Sequence, residues 1–206
     1  MLSFFRKRTK QPVWNKEKLV GQKPPLKMQD VWAIRTRLHM TDSRRDLALF
    51  NLAIDWKLRG CDLVRLKVRD VTSHNSVSKR ASIVQQKTGK AVQFEITPHS
   101  RRAISDWIKR ANLEPSDYLF PSQVSAHLST RQYARLLSHW LDDVGLDCRL
   151  YGTHSLRRTK VALIYRRTKN LRAVQLLLGH TKLESTVRYL GIELDDALEL
   201  SEKIDI

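Results

Sequence analysis

The spacing of apolar residues along the chain predicts a mostly helical protein. Val31, Ile34 and Leu38 recur at helical spacing and predict a first helix that ends near Met40. A second helix follows, and its many apolar residues predict deep burial and an end near Gly60. The same periodicity predicts later helices over residues 98–111, 130–144, 155–168, 170–178, 183–190 and 193–203.

Residues 68–97 interrupt the helical pattern and are expected to form strands. Two β-prone segments, residues 81–86 and 91–96, flank the sequence Lys-Thr-Gly-Lys at 87–90. This arrangement is typical of a hairpin in which Gly89 supplies the positive φ that the turn requires. The predicted fold class is therefore mostly α with a small antiparallel β-sheet (α+β).

Charge and composition divide the chain into three parts. Residues 1–26 are basic and contain three prolines, so they are expected to form a flexible arm that is either a solvated tail or a DNA-tracking arm. Residues 27–192 form the predicted globular domain. Residues 193–206 are acidic with interspersed leucines, and the predicted helix there either docks on a neighbouring subunit or folds back on its own core.

The net charge of +17 and the pI of about 10.3 indicate a polyanionic partner. Double-stranded DNA, RNA and an acidic membrane surface are all compatible with this charge. Membrane binding is disfavoured because no apolar run approaches the roughly 20 residues that span a bilayer. Two cysteines, Cys61 and Cys148, lack metal-like spacing and fit a reducing compartment, so a cytoplasmic protein without a metal or cofactor is expected.

Six residues that are far apart in the chain suggest a shared chemistry. His154 and Arg157 lie three apart at a helix start, where backbone N–H groups also favour a phosphate. Each residue alone has an ordinary structural explanation, such as a helix-end cation or a solvated hairpin lysine. Together they form a set of cations and histidines followed by one tyrosine: Arg59, Lys87, His154, Arg157, His180 and Tyr189.

In their order and motifs, these residues resemble the tyrosine recombinase, or phage integrase, family. The matching elements are Leu58-Arg59, the Lys-Thr-Gly-Lys turn at 87–90, His-Ser-Leu-Arg at 154–157, Gly179-His180 and the terminal Tyr189. The resemblance covers about residues 47–191. The short form is similar to fimbrial-switch invertases and small mobile-element integrases.

The resemblance implies a site-specific recombinase that cuts and rejoins DNA through a 3′-phosphotyrosine, without metal or ATP. Arg59, Arg157 and His180 would stabilise the phosphorane, and Tyr189 would be the nucleophile. His154 would assist proton removal, and Lys87 would be the general acid. The candidates for further DNA contacts are Lys90, Arg158, Lys160 and Arg188.

The chain also departs from the family pattern. Arg158 stands where many relatives have histidine, and Lys160 stands at a commonly apolar position. Most relatives carry a core-binding domain ahead of the catalytic one, whereas only residues 1–46 precede the match here. The expected assembly is a homotetramer on paired DNA sites, with an accessory DNA-bending or core-binding protein and a nucleoid location. A catalytically silent DNA-binding regulator and a type IB topoisomerase remain the alternatives, and an RNA-binding protein is disfavoured because aromatic stacking platforms are lacking.

Overall fold

The computed structural model describes residues 23–74, 76–191 and 202. This part of the chain is mostly helical with small antiparallel sheets, which confirms the predicted fold class. The predicted helix over 193–203 and most of the basic arm lie outside the described residues. The elements in chain order are α1 (Met28–Met40), α2 (Arg44–Trp56), α3 (Gly60–Leu63), α4 (Val68–Val71), β1 (Thr72–Ser73), β2 (Ser76–Val77), β3 (Arg80–Val84), β4 (Ala91–Glu95), α5 (Pro98–Ala111), α6 (Thr130–Asp142), α7 (Thr153–Thr168), α8 (Leu171–Leu178) and α9 (Leu183–Leu190).

Helix α2 is the centre of the main core. Its residues from Ala48 to Trp56 are all buried, a pattern typical of a helix that neighbours enclose on every side. Helices α1, α5 and α7 pack around it. Phe50 of α2 meets Trp140 of α6 edge to face, with ring centroids 5.7 Å apart. Burial of each ring stabilises the fold by roughly 1.5–3 kcal/mol, so α2 is a rigid base for the residues that follow it.

The end of α2 differs from the prediction. The helix stops at Trp56 because Lys57 adopts the left-handed conformation, with φ of 52°. Arg59 then has extended backbone and precedes α3, which begins at Gly60. The glycine therefore starts a helix instead of ending one. As a result, Arg59 lies between two helix ends and its side chain is available to other elements.

The region over residues 68–97 contains less strand than the sequence pattern predicts. Its first residues form α4, and β1 and β2 make only a two-residue ladder. The predicted hairpin is present: β3 and β4 pair antiparallel, with Val84 opposite Ala91, and Gly89 in the turn has φ of 63°. Phe94 of β4 stacks on Trp56 at 5.5 Å between ring centroids, which anchors the hairpin to the end of α2.

A second, smaller core joins the last three helices. It is built from Val161, Val174 and Leu178, and Tyr189 is among the partly buried residues that pack against it. The chain can reverse between α8 and α9 because Gly179 has φ of 68°, a conformation that glycine adopts without strain. Within the described part of the chain, no helix is long and apolar enough to cross a membrane.

Candidate active site

Five of the six predicted residues converge where several helix ends meet. Arg59 precedes α3, His154 and Arg157 lie in the first turn of α7, His180 follows α8, and Tyr189 lies near the end of α9. Burial lowers the pKa of both histidines, and the positive charges of Arg157 and Arg59 add to this effect, as expected for groups that share one site. The fold thus unites residues that are separated by up to 130 positions in the sequence.

The guanidinium of Arg157 holds two helix ends together. Its side chain is buried, Nε donates to the carbonyl oxygen of Lys57, and Nη2 donates to the carbonyl oxygen of Leu178 at 3.3 Å. A buried charge requires such partners because its desolvation is costly. Both acceptors are neutral, so the positive charge of Arg157 remains available to an anionic ligand.

Arg59 is connected to the β3–β4 hairpin through Gln85. Its Nη1 donates to Gln85 Oε1 at 2.8 Å, and the hydroxyl of Thr88 donates to the same oxygen at 3.0 Å. Gln85 is buried at the base of the turn, whereas Lys87 and Lys90 are exposed at its tip. The described structure gives Lys87 no polar contact with the other five residues. The hairpin is therefore attached to the site, but its lysine lies outside the cluster.

Both histidines are biased toward the neutral form. Loss of hydration, followed by the charges of Arg157 and Arg59, lowers the pKa of His180 below its usual value of 6.5. Loss of hydration also lowers the pKa of His154, assisted by Arg157, Arg158 and Arg59, although part of this ring remains exposed. His180 Nδ1 lies 3.1 Å from the hydroxyl of Thr186, which is fully buried. If Thr186 donates this bond, the proton of neutral His180 is on Nε2, where it can be donated to an anion.

Tyr189 lies against His180 and two arginines. Its ring is edge to face with that of His180, with centroids 5.5 Å apart, and Arg157 Cζ is 5.3 Å from the tyrosine ring centroid. The hydroxyl oxygen is buried and has no hydrogen-bond partner within residues 23–74 and 76–191. Burial raises the pKa of Tyr189, and the nearby Arg157 and Arg158 partly offset this rise. The phenol is therefore protonated at neutral pH in the DNA-free protein.

Asp62 is a member of the site that the sequence analysis missed. Its carboxylate is buried, and Oδ1 accepts from the backbone N–H of Gln86 at 3.0 Å. Oδ2 is buried and has no partner among the described residues. It also acts electrostatically on Arg157, because its charge favours the protonated guanidinium. The sequence feature that could have identified Asp62 is its position three residues after Arg59, in the short helix α3. Gln85 and Thr186 were also missed, since neither residue type suggests chemistry by itself.

The four predicted DNA-contact residues have different surroundings. Lys90 and Arg188 are exposed. Lys160 is mostly covered: its Nζ lies 3.2 Å from Asp55 Oδ1 and also pairs with Glu95. Arg158 is partly buried against Tyr189. Contact with DNA stays a prediction for all four, and Lys160 is already engaged in an ion pair within the protein.

A cavity of about 590 Å³ opens beside the nucleophile candidate. Its walls are formed by His180, Lys182, Glu184, Ser185, Arg188 and Tyr189. Among residues 23–74 and 76–191, no cluster of histidine, cysteine and carboxylate side chains could hold a metal ion. The groups that are present supply positive charge and hydrogen-bond donors around one phenol, an arrangement that can bind and attack a phosphate ester.

Comparison with known proteins points in the same direction. The sequence profile of the phage integrase family matches residues 26–193. The probable integrase/recombinase YoeC of Bacillus subtilis (strain 168) is 31% identical over 157 residues, which cover 76% of this chain and 82% of YoeC. Tyrosine recombinase XerC of Haemophilus influenzae (strain PittEE) is 30% identical over 164 residues, which cover 77% of this chain and 53% of XerC. The chain thus spans about half the length of that XerC.

Solved structures share the fold at lower sequence identity. The crystal structure of XerA recombinase has a TM-score of 0.71 and 19% identity, with coverage of 87% of this chain and 64% of XerA. The Tn1549 transposon integrase in complex with transposon right end DNA has a TM-score of 0.69 and 14% identity, with coverage of 91% of this chain and 67% of that integrase.

Proposed function

Because the chain belongs to the phage integrase family, we propose that it is a site-specific DNA recombinase that cuts and rejoins strands through a 3′-phosphotyrosine. The observation that carries this proposal is the placement of Tyr189 against Arg157 and His180 of the same chain. A tyrosine that only filled the core would not require the guanidiniums of Arg157 and Arg158 and the imidazole of His180 beside its ring. The Tn1549 transposon integrase in complex with transposon right end DNA, which shares the fold, supports DNA as the partner.

The cations of the site are suited to a phosphoryl transition state. Attack on a phosphodiester places additional negative charge on the non-bridging oxygens, and fixed donors stabilise that charge without a metal. Arg59 and Arg157 are the two guanidiniums that would bind these oxygens, and His180 Nε2 would donate a further hydrogen bond. Arg157 is well held for this role because both of its protein acceptors are backbone carbonyls.

The proton transfers follow from the protonation states. Tyr189 begins as a phenol, and neutral His154 would accept its proton as the bond from the phenolic oxygen to phosphorus forms. The bond from phosphorus to the 5′-oxygen breaks, and Lys87 would donate a proton to that oxygen. Lys87 is exposed at the hairpin tip, so this role requires the hairpin to contact DNA. Attack by a 5′-hydroxyl of a partner strand reverses these steps and reseals the DNA without ATP.

The assembly that we propose is a homotetramer on paired DNA sites in the cytoplasm, at the nucleoid. Residues 193–206 carry six acidic residues and one lysine, so a charge-complementary neighbour is a reasonable docking partner for them. Lys90, Arg158, Lys160 and Arg188 are retained as candidate DNA contacts. An accessory DNA-bending or core-binding protein would complete the clamp around DNA.

Covalent trapping tests the reaction class. Nicked duplexes built from DNA that flanks the gene lose a short leaving fragment after cleavage, so the protein stays attached. The duplexes are incubated with wild-type protein and with Tyr189→Phe, in EDTA and without ATP, and SDS-stable adducts are measured. An adduct with wild type alone supports the proposal. Tight binding without an adduct from either protein would favour a silent DNA-binding regulator.

Relaxation of a supercoiled plasmid containing a single site distinguishes recombination from topoisomerase activity. Strand exchange between two sites is the result expected of a recombinase. Efficient relaxation without any exchange between paired sites would contradict the proposed activity.

A further inference from the structure

Arg158 has an unusual environment for a residue that follows a buried catalytic candidate. Its Cζ lies 4.8 Å from the ring centroid of Tyr189, closer than Arg157 Cζ at 5.3 Å. Its Nη1 donates to the backbone carbonyl of Lys23 at 2.5 Å. The guanidinium therefore lies between the nucleophile candidate on one side and the chain that precedes α1 on the other.

The segment Lys23–Leu26 is also bound to α7 and to the residues just before it. Lys23 Nζ donates to the carbonyl oxygen of Tyr151 at 2.6 Å. The backbone N–H of Leu26 donates to the hydroxyl of Thr159 at 3.1 Å, and the Leu26 side chain is buried in the main core. The end of the predicted flexible arm is thus an ordered strap across the first turns of α7. Its carbonyl at Lys23 is the acceptor that orients Arg158.

Two polar atoms in this contact are buried and have no hydrogen-bond partner in the part of the chain that the structure describes. They are Nε of Arg158 and the hydroxyl oxygen of Tyr189. Buried polar groups are normally hydrogen-bonded, so an unpartnered donor beside an unpartnered acceptor is a specific feature. Burial raises the pKa of the phenol, and the positive charges of Arg157 and Arg158 partly offset that rise.

We propose that Arg158 is a positioning residue for Tyr189, and that the Lys23–Leu26 strap holds Arg158 in place for that role. Arg158 orients the tyrosine ring through its guanidinium face and stabilises the phenolate that forms during attack. This inference rests on the proposed function for its catalytic consequence, but the contact itself can be measured without DNA.

The first measurement is the pKa of Tyr189 in the DNA-free protein. Tyrosines labelled with ¹³C at Cζ are titrated by NMR, and Tyr189→Phe assigns the signal. In Arg158→Met the pKa of Tyr189 is expected to rise above the wild-type value, while Arg158→Lys restores part of the difference. Arg166→Met is the matched control, because Arg166 is exposed on the same helix and its replacement removes an equal charge. Thermal unfolding verifies that each variant is folded.

The second measurement is the rate of adduct formation at saturating nicked duplex. Arg158→Met is expected to react about 5- to 30-fold more slowly than wild type, with its pH profile displaced to higher pH, whereas Arg166→Met matches wild type. Thr159→Val, which removes the acceptor for Leu26, should change both quantities in the same direction by a smaller amount. An unchanged Thr159→Val would overturn the role of the strap.

The outcomes separate this inference from the proposed function. If wild type forms no adduct, the proposed recombinase activity fails, while the NMR titration still tests the Arg158 contact. If adducts form and Arg158→Met equals wild type in both pKa and rate, the positioning role is overturned. Weaker DNA binding by Arg158→Met with an unchanged Tyr189 pKa would make Arg158 a DNA contact only, and would also overturn it.

Discussion

Replacement of Lys57 by methionine is expected to stabilise the protein. Lys57 follows α2 in the left-handed conformation, and only 2% of its surface is exposed. Desolvation, followed by repulsion from Lys160, lowers the pKa of its ammonium from 10.5 to about 8, despite attraction from Glu95 and Asp55. The fold thus contains a lysine whose charged form it disfavours. Methionine has a similar length and removes the charge.

The magnitude follows from the pKa. At about 1.4 kcal/mol for each tenfold change in proton affinity, a fall from 10.5 to about 8 corresponds to about 3 kcal/mol of destabilisation at neutral pH. For a chain of this size, about 3 kcal/mol raises Tm by roughly 6–12 °C.

The pH dependence gives a second signature with a defined sign. Between pH 8 and 10.5 the unfolded chain binds more protons at Lys57 than the folded protein, so the stability of wild type rises with pH. The advantage of Lys57→Met is therefore complete below about pH 8, shrinks as the pH rises through this window, and is lost above it. The difference between the two proteins isolates Lys57 from other groups that titrate in base.

Urea unfolding of wild type and Lys57→Met across roughly pH 7–10 measures this effect. Lys169→Met is the matched control: Lys169 also follows a helix in the left-handed conformation, with φ of 53°, but it is exposed. We expect Lys169→Met to change the free energy of unfolding by less than about 0.5 kcal/mol. A destabilised Lys57→Met, or a stability difference that is constant with pH, would refute the reasoning.

Three further predictions concern the catalytic cluster. Gly179→Ala and Gly145→Ala each place a side chain at positive φ, 68° and 74°, so each should lower the free energy of unfolding by about 1 kcal/mol. Only Gly179→Ala should also slow adduct formation, because it displaces His180. Equal rates for the two variants would contradict this prediction. Thr186→Val keeps the shape of the buried side chain and removes the hydrogen-bond partner of His180 Nδ1. We expect adduct formation to be roughly tenfold slower in this variant. A wild-type rate would show that the bond does not orient the His180 ring. Because the pKa of His154 is lowered from 6.5, the second-order rate of adduct formation should decrease only when the pH is lowered below 6.5. A rate that already decreases on acidification at a pH above 6.5 would argue against neutral His154 as the base.

The parts of the fold that follow from local periodicity could be predicted from the sequence. Val31, Ile34 and Leu38 are all buried in the first helix as expected, and the hairpin turn at Gly89 has the predicted positive φ. The end of α2 could not be predicted, because Lys57 stops the helix in a conformation that lysine rarely adopts and tertiary packing enforces. Gly60 carried a helix-stop signal but begins the next helix.

In the candidate site, sequence motifs identify some of the residues, whereas others are revealed only by the tertiary packing. The motifs were sufficient to name residues that the fold brings together, including Tyr189 beside His180. The contributions of Asp62 and Thr186 depend on burial and on contacts with other elements, and neither can be predicted from the residue type alone. The surroundings of Lys160 and Arg158 were equally inaccessible, since Asp55 lies 105 residues from Lys160 in the chain and Lys23 lies 135 residues from Arg158.

The central claim is that Tyr189 is the residue that becomes joined to DNA. The most direct test is tandem mass spectrometry of the trapped adduct after nuclease trimming and tryptic digestion. Trypsin releases Tyr189 at the start of a peptide that ends at Lys203. We predict a nucleotide attached through its 3′-phosphate to the tyrosine of this peptide. A nucleotide on another tyrosine, such as Tyr151 or Tyr165, or on a serine would contradict the account.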